Sequence, residues 1–520
     1  MSKAGKEIEL KLDISPEALE GLKKNGTYSG FTSGRATTRT LQSIYFDTPD
    51  QDLRAAKISL RVRKSGRSWV QTAKLGTGMH GPLSSPIEAE HPVTGPNIDF
   101  SVISDPDVLE VLTKTIGDKP LEPCFENEIR RTTRLITSKT DGTQIELAFD
   151  NGEIKAGDRT QPFAEIELEL KSGSTAPLFA AAREITGDTP FRFSPYNKAE
   201  RGFRFAGGET DDQKLPKLAD EIGLLADETV ELAYRQILRS CLGQIAHNRM
   251  VMLESGDPEG PHQLRVGLRR LRSAFRMFRP VLNPVSLDRL DATAQALAGE
   301  AGELRDLDVL TEEIVAPLSA FVPPGLKLDA LLDHMNVMRE ACRASLQSHL
   351  NQPDINSFLF DLAAYTETRG WLDPENFGQT ALLGQSVRAF SRTALQKRWK
   401  KVSKYGARID ELAIPERHDM RKALKKLRYG TEFFGSLYPK TEMKPFLRRM
   451  KRLQDVFGYL NDVAMAEKLL VMPPPKKGDA VAIQQAVGFV VGWHEAQAHA
   501  MWTHAKEYWT DTKKTPRFWL

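Results

Sequence analysis

Cysteine is nearly absent: Cys124, Cys241 and Cys342 are the only three in 520 residues. They are odd in number, far apart and without metal-ligand spacing. That excludes a disulfide framework and a cysteine-rich zinc site, and fits a reducing compartment. Long apolar runs are missing too. No stretch of eighteen apolar residues occurs, so no membrane-spanning helix and no membrane partner is expected. No charged-then-apolar segment opens the sequence, so the expected location is cytoplasmic. Nor does one sign of charge dominate. The 72 Lys and Arg against 69 Asp and Glu leave a net charge of +3. This excludes the broad basic field of a bulk nucleic-acid binder, and no nucleic acid is expected as partner. Positive charge that matters here is local, which points to a defined anionic ligand. The length predicts two or three domains.

What is present, in the first two hundred residues, is a period-two alternation of charged and apolar residues. In Glu7-Ile8-Glu9-Leu10-Lys11 the acids and the lysine share one face of a strand, and Ile8 and Leu10 share the other. The pattern recurs in Ser59-Leu60-Arg61-Val62-Arg63-Lys64, in Trp69-Val70-Gln71-Thr72-Ala73-Lys74 and in Ile87-Glu88-Ala89-Glu90. It recurs again in Glu146-Leu147-Ala148-Phe149-Asp150 and in Ala164-Glu165-Ile166-Glu167-Leu168-Glu169-Leu170-Lys171. Turn signals such as Ser65-Gly66, Asp141-Gly142 and Asn151-Gly152 separate the segments. A single segment of this kind fits a solvent-exposed edge strand as well as a barrel wall; the recurrence favours an antiparallel barrel with a polar lumen. Facing walls of both signs are costly to bury unless a charged ligand and its metal fill the space. Paired carboxylates suit a divalent cation, and a neighbouring lysine suits a phosphate oxygen.

This ordered set, together with Tyr45-Phe46-Asp47-Thr48 and Asn197-Lys198-Ala199-Glu200-Arg201-Gly202-Phe203, resembles the CYTH domain, the triphosphate tunnel metalloenzyme family, over residues 1 to about 207. The family's ExExK signature corresponds to Glu7, Glu9 and Lys11. The resemblance implies an eight-stranded antiparallel tunnel that binds a triphosphate with Mg²⁺ or Mn²⁺ and cleaves the terminal phosphoryl group. It implies metal ligation by Glu7, Glu9, Asp150, Glu165 and Glu167. It implies a catalytic, phosphate-holding set of Lys11, Arg61, Arg63, Lys74, Arg131 and Lys198, with Glu7 and Glu9 beside them. Arg130 and Arg134 are the alternatives to Arg131 if the strand register slips. Glu88 and Glu90 also match the pattern, without a clear role. Trp69, Phe46 and Phe125 either stack on an organic group or belong to the core. No nucleobase or thiazolium pocket is evident. Inorganic triphosphate, thiamine triphosphate, RNA 5′-triphosphate and ATP (for cyclisation) are all substrates of the family, and the helical domain that follows favours inorganic triphosphate.

A polar linker spans 208–217. From about Leu218 the alternation gives way to apolar spacings of three and four, which predict helices. His262, Arg265, Arg269, Arg272 and Arg276 fall on one helical stripe, and Leu264, Leu268, Leu271 and Phe275 on another. His418, Arg421, Lys425 and Arg428 repeat the basic stripe 156 residues later, as Leu460-Asn461-Asp462 repeats Leu304-Arg305-Asp306. One spacing shared by separate segments argues for an internal duplication that brings the two basic helices together. Charged stripes are usually solvated faces. This one contains almost no acids, however, and like charges one turn apart destabilise a helix, so an anionic partner would relieve a cost.

The His262-to-Arg272 run and its repeat resemble the CHAD domain, the conserved histidine α-helical domain, over 218–510. That resemblance implies binding of inorganic polyphosphate by His262, Arg265, Arg269, Arg270, Arg272, Arg276, His418, Arg421, Lys425, Lys426 and Arg428. For the two histidines, metal ligation, phosphate contact and a structural hydrogen bond all stay open. The expected fold is thus α+β and multidomain, a β-tunnel over 1–207 followed by a duplicated all-α domain. Two function classes fit it. One is a metal-dependent inorganic triphosphatase tethered to polyphosphate, with polyphosphate granules as a place of recruitment. The other is a polyphosphate-targeted binding protein with little turnover.

Overall fold

The computed structural model describes residues 5–6, 8–76, 79–80, 83–84, 87–194, 196–209, 215–373, 375–473 and 479–520. Glu7 lies outside them. The chain divides into two compact units, 1–215 with 351–370 and 216–350 with 371–520.

Eight strands of five or more residues build the first unit: β1 (Glu9–Asp13), β2 (Thr37–Asp47), β3 (Ile58–Ser65), β4 (Ser68–Leu75), β5 (Ile87–Val93), β6 (Glu122–Ser138), β7 (Gln144–Ala156) and β8 (Arg159–Ser172). They lie antiparallel in the order β5-β4-β3-β2-β6-β7-β8-β1, with short strands of two or three residues added at the edges. The antiparallel direction is as expected, but the strand count differs from eight, because short strands join the eight long ones in one sheet. Continuous closure is not met: among the described residues, β5 and β1 do not pair with each other. Among the described residues, Gly5 stands opposite Glu88 of β5, and Glu9 of β1 stands opposite Glu169 of β8.

Register decides which charges meet. Lys11 stands opposite Glu167, and Asp150 stands opposite both Arg131 and Glu165. Arg61 stands opposite Tyr45, and Arg63 opposite Ser43. These residues share the inner face, so Arg131, not Arg130 or Arg134, points inward. Glu9 and Lys11 are each only 5% exposed while Leu10 and Leu12 on the other face are at 0%, which rules out the exposed edge strand. Asp47 of the Tyr-Phe-Asp-Thr run has a structural task. Its carboxylate accepts the backbone N–H groups of Thr48, Leu53 and Arg54 and so holds the turn into the short helix Asp52–Ala55.

Helix α1 (Ala176–Thr186) lies outside the sheet, and helix α2 (Lys198–Ala206) plugs one end of its interior. Asn197 caps α2 by accepting the Glu200 N–H at 2.9 Å. Ala199 and Phe203 of α2 are buried with Tyr45, Phe125, Ile129, Ile154 and Phe163 of the inner face. Phe125 stacks on Tyr45 at 4.5 Å and meets Phe203 edge-on at 5.1 Å, so it is core and not a platform for an organic ligand. Glycine at 202 is what admits the plug, since a Cβ there would stand 2.0 Å from the Phe125 ring.

The second unit repeats one four-helix pattern. The first copy is α3 (Val230–Glu254), α4 (Glu259–Phe278), α5 (Pro284–Val309) and α6 (Leu328–Leu350). The chain then leaves for α7 (Pro353–Glu367), which belongs to the first unit. It returns for α8 (Val387–Gly406), α9 (Ile414–Phe434), α10 (Lys440–Ala466) and α11 (Ala480–Lys514). Helix starts at 230 and 387, 259 and 414, 284 and 440, and 328 and 480 keep close to the spacing of 156 seen in the sequence. The two basic helices, α4 and α9, do meet: Phe278 lies 6.1 Å from Phe434, and the Arg270 guanidinium lies 5.6 Å from the Phe433 ring.

Gly202→Ala is expected to destabilise the protein by about 1–3 kcal/mol through overpacking of the plug. A Tm unchanged from wild type in a thermal melt would contradict the plug geometry.

Candidate active site

The inner face of the sheet encloses a cavity of about 200 Å³. Its acidic wall is Asp150 on β7 with Glu165 and Glu167 on β8. All three are buried, and one carboxylate oxygen of each lies within 4.8 Å of the others. Three cations neutralise this wall. Arg131 forks onto Asp150, Nε to Oδ1 at 2.8 Å and Nη2 to Oδ2 at 2.6 Å, and also pairs with Glu167. Lys198, the first residue of the plug helix, stands 2.9 Å from Asp150 and 2.6 Å from Glu167 and also bonds Glu165. Lys11 pairs with Glu9 at 2.7 Å and with Glu167.

These contacts set the protonation states. Burial pushes Glu167 upward, but Lys11, Lys198 and Arg131 together hold it well below the ordinary carboxylate value. Glu165 goes the other way: burial dominates, the Glu167 charge adds to it, and the carboxyl is pushed up to about 7. Burial likewise opposes charge on Lys11, yet Glu167 and Glu9 raise its pKa.

The opposite wall is short of anions. Arg61 and Arg63 on β3 and Lys74 on β4 line it, with Glu88 of β5 at 3.2 Å from Lys74. The Arg61 Nε is buried and has no hydrogen-bond partner among the described residues. Burial, with the charges of Arg61 and Arg131, lowers the pKa of Arg63 to about 10. Tyr45, whose role sequence reasoning missed, lies between these groups. Its hydroxyl accepts from Arg61 Nη1 at 3.3 Å and from Asn127 Nδ2 at 3.4 Å. Burial alone would raise its phenol; Arg61, Arg63 and these bonds bring it down to about 8. Its place directly opposite Arg61 is the signal that could have found it.

The oxygen-only set of Asp150, Glu165 and Glu167 suits a hard divalent cation such as Mg²⁺ or Mn²⁺. Glu165 Oε2 is buried without a hydrogen-bond donor, with Arg201 at 3.6 Å. These residues therefore fit a metal. Glu9 lines the cavity but stands outside that trio, and Glu7 lies outside the described residues.

In the helical unit the predicted polyphosphate residues separate. Arg265 bonds Asp306 Oδ1 at 3.0 Å and the Gly302 carbonyl at 3.2 Å, and Arg272 bonds Asp291 Oδ1 at 2.8 Å. Arg270, named with the polyphosphate residues but not on the basic stripe, turns inward. It is 1% exposed and donates to Gln244 Oε1 at 2.8 Å, because it shares a row with Gly267, Ala274 and Met277 that faces the core. Arg428 pairs with Glu432 at 2.8 Å. Arg269, Arg421 and Lys425 are half-buried. Arg276, exposed on α4, lies near Lys426 of α9, which Lys401, Lys422 and Arg398 also crowd; burial first, then these charges, lowers the Lys426 pKa. Burial and neighbouring cations, Arg305 and Arg265 for His262 and Lys422 and Arg421 for His418, lower both imidazoles as well. Among the described residues the acidic trio is the one group whose donors converge as a metal would need, and neither histidine belongs to it. No helix among them is long and apolar enough to cross a membrane.

Residues 5–203 match the CYTH domain family model, and residues 236–471 match the CHAD domain model. The chain is a CYTH domain followed by a CHAD domain. An inorganic triphosphatase of Haemophilus influenzae is 31% identical over 198 residues, 38% of this chain and 54% of that protein. An uncharacterised protein of Mycobacterium tuberculosis is 24% identical over 340 residues, 61% of each chain. The crystal structure of the CHAD domain from the plant Ricinus communis shares 28% identity over 58% of this chain and 98% of that one, with a TM-score of 0.49. The chain spans 54 to 61% of the length of these curated relatives.

The CYTH tunnel yields a titration to measure. One of the ten tyrosines is expected to ionise near pH 8 by absorbance at 295 nm, and Tyr45→Phe should remove that step. Because the folded pKa, about 8, lies below the ordinary value of roughly 10, ionised Tyr45 favours the fold. Its contribution is full above pH 10, is lost as the pH falls through 8, and should appear as a gain of wild type over Tyr45→Phe across that window.

Proposed function

We propose that the CYTH tunnel hydrolyses inorganic triphosphate with Mg²⁺ or Mn²⁺, and that the CHAD domain binds inorganic polyphosphate. The observation that carries this reading is the division of the cavity into an acidic wall fit for a metal and a facing wall where, among the described residues, Arg61 and Arg63 make no direct ion pair, with Glu88 and Glu90 the acids nearest that side. A triphosphate with its cation supplies what each wall is missing. Size supports an inorganic substrate. The cavity of about 200 Å³ is below the roughly 300–1,000 Å³ of pockets for drug-sized organic ligands, and Phe125 is used by the core. The likeness to a Haemophilus influenzae inorganic triphosphatase agrees.

In phosphoryl transfer the transferred group is loosely bonded and its charge spreads over peripheral oxygens, so positioning and neutralisation do most of the work. Arg61, Arg63 and Lys74 hold the substrate's oxygens from one side, and Lys11, Arg131 and Lys198 from the other. Asp150, Glu165 and Glu167 would hold the metal, with Glu9 beside Lys11 next to that set and Glu7 completing the sequence signature. The chemistry a bound Mg²⁺ or Mn²⁺ supplies is Lewis-acid neutralisation of phosphate oxygens. Buried walls exclude bulk water, which strengthens each of these interactions.

On the CHAD domain the best-placed polyphosphate contacts are Arg276 and Lys426 with the cations around them. Arg265 and Arg272 are held by carboxylates, and Arg270 is inside. A polyanion laid over Arg276 and Lys426 relieves their mutual repulsion and returns the Lys426 ammonium toward its ordinary pKa.

Phosphate release from inorganic triphosphate, thiamine triphosphate and ATP, with and without Mg²⁺, tests the tunnel. Release is expected to be metal-dependent and fastest from inorganic triphosphate. Glu167→Gln should lower kcat by about 100-fold or more in a chain whose circular dichroism matches wild type. Absence of release from all three, with polyphosphate still bound, would replace this reading with that of a binding protein. For the CHAD domain, Arg276→Ala with Lys426→Ala should weaken polyphosphate binding roughly tenfold, with a shallower salt dependence, and leave triphosphate turnover as in wild type. Isothermal titration at two salt concentrations reads this directly.

A further inference from the structure

Between its two helical repeats the chain makes an excursion, and the excursion is part of the tunnel unit. Both of its ends are fixed in the helical unit. The Leu350 carbonyl accepts from Arg249 Nε at 2.9 Å, and the Trp371 carbonyl accepts the Asn283 N–H at 3.0 Å. Its middle, α7, is fixed to the tunnel unit beside α1. Asn356 Nδ2 donates to the carbonyls of Gly187 and Thr189 at 3.0 and 2.9 Å, and Asp361 pairs with Arg183. Phe360, fully buried, stacks on Phe191 at 4.5 Å and meets Phe193 edge-on at 5.9 Å.

Those two phenylalanines open the segment that leads to Lys198. Phe193 lies opposite Leu12 of β1, and the next N–H, that of Ser194, donates to the Lys11 carbonyl at 3.0 Å. The Ser194 hydroxyl donates to the Tyr196 carbonyl at 2.8 Å and accepts from Arg201 at 3.0 Å, and Asn197 then caps the helix that begins with Lys198. Among the described residues of 191–197, Arg192–Phe193 form a two-residue strand. A short strand of this kind takes much of its order from packing, and α7 supplies packing through the two contacts of Phe360 with Phe191 and Phe193.

We propose that Phe360 is a positioning residue for Lys198 and Lys11: the helix between the CHAD repeats is a supporting wall of the CYTH tunnel, and through Phe191 and Phe193 it holds the segment that places both lysines against the acidic trio. A merely space-filling α7 would affect global stability alone. A positioning α7 affects residues 191–198 before the rest of the sheet, and affects kcat before KM.

The experiment uses the full chain as wild type, Phe360→Ala and Phe360→Leu, followed by hydrogen exchange and by kinetics on inorganic triphosphate with Mg²⁺. In Phe360→Ala, exchange across 191–198 is expected to quicken about tenfold while β7 and β8 keep wild-type protection. The kcat should drop roughly 10- to 100-fold with KM nearly unchanged, and Phe360→Leu, which refills the space, should recover most of both. Unchanged exchange at 191–198, or an equal rise there and in β7 and β8, overturns the proposal. If Phe360→Ala does not fold, Phe360→Val, which removes the ring but keeps part of the volume, carries the same comparison against Phe360→Leu. The kinetic arm rests on the triphosphatase reading. If wild type releases no phosphate, that reading falls, and the exchange pattern alone decides the positioning role.

Discussion

Everything in the tunnel rests on mutual neutralisation inside a buried sheet: Lys11, Arg131 and Lys198 against Asp150, Glu165 and Glu167. Taking such charges out of water costs several kcal/mol each unless geometry and hydrogen bonds return it. Here the return comes from register, because antiparallel pairing sets Lys11 opposite Glu167 and Asp150 opposite Arg131. The third cation arrives differently. Lys198 comes from the first turn of a helix pushed into the sheet's interior, so the acidic wall and the plug stabilise one another. Glu167 is shared by all three cations and is the acid whose loss would strand the most charge. On the proposed reading, binding a metal and a polyanion in such a place is an exchange of partners, not the burial of new charge.

Much of this was legible in the sequence because a strand's side chains alternate strictly. Once Glu9, Lys11, Arg61, Arg63, Lys74, Glu165 and Glu167 each fall on the charged parity of an alternating segment, a curled sheet must bring them to one interior. Arg131 was ambiguous only until pairing with Asp150 fixed its face. What was not legible depends on contacts distant in sequence. The cost of a Cβ at Gly202 exists only because Phe125 comes to lie over it. Tyr45 reads as a β-former until Arg61 is known to be opposite. In α4, the basic residues looked alike, yet one helical row of small residues, Gly267 and Ala274, carries Arg270 inward and leaves Arg276 outside. Nothing local marks α7 as belonging to the first unit. Its affinity is written in Phe191, Phe193 and Phe360, which the sequence spreads over more than 150 positions.

The duplicated domain shows how copies diverge under one scaffold. Positions 270 and 426 occupy the same place in the repeat. The arginine is planar and forked, and it is spent on Gln244 and on the Phe433 ring. The lysine stays among other cations and pays a repulsion that its twin avoids. One copy thus uses the site for cohesion, and the other keeps it charged and unrelieved.

The helix that plugs the tunnel has a topological consequence. With Ala199 and Phe203 sealed against Tyr45, Phe125 and Phe163, the cavity is blind at that end. On the triphosphatase reading proposed above, a linear anion would enter from the side away from the plug. It would then present a terminus to Asp150, Glu165 and Glu167, and its product would leave the same way. A polymer handled this way would be shortened from its ends, one encounter at a time, and its length would be felt only as the number of ends it offers.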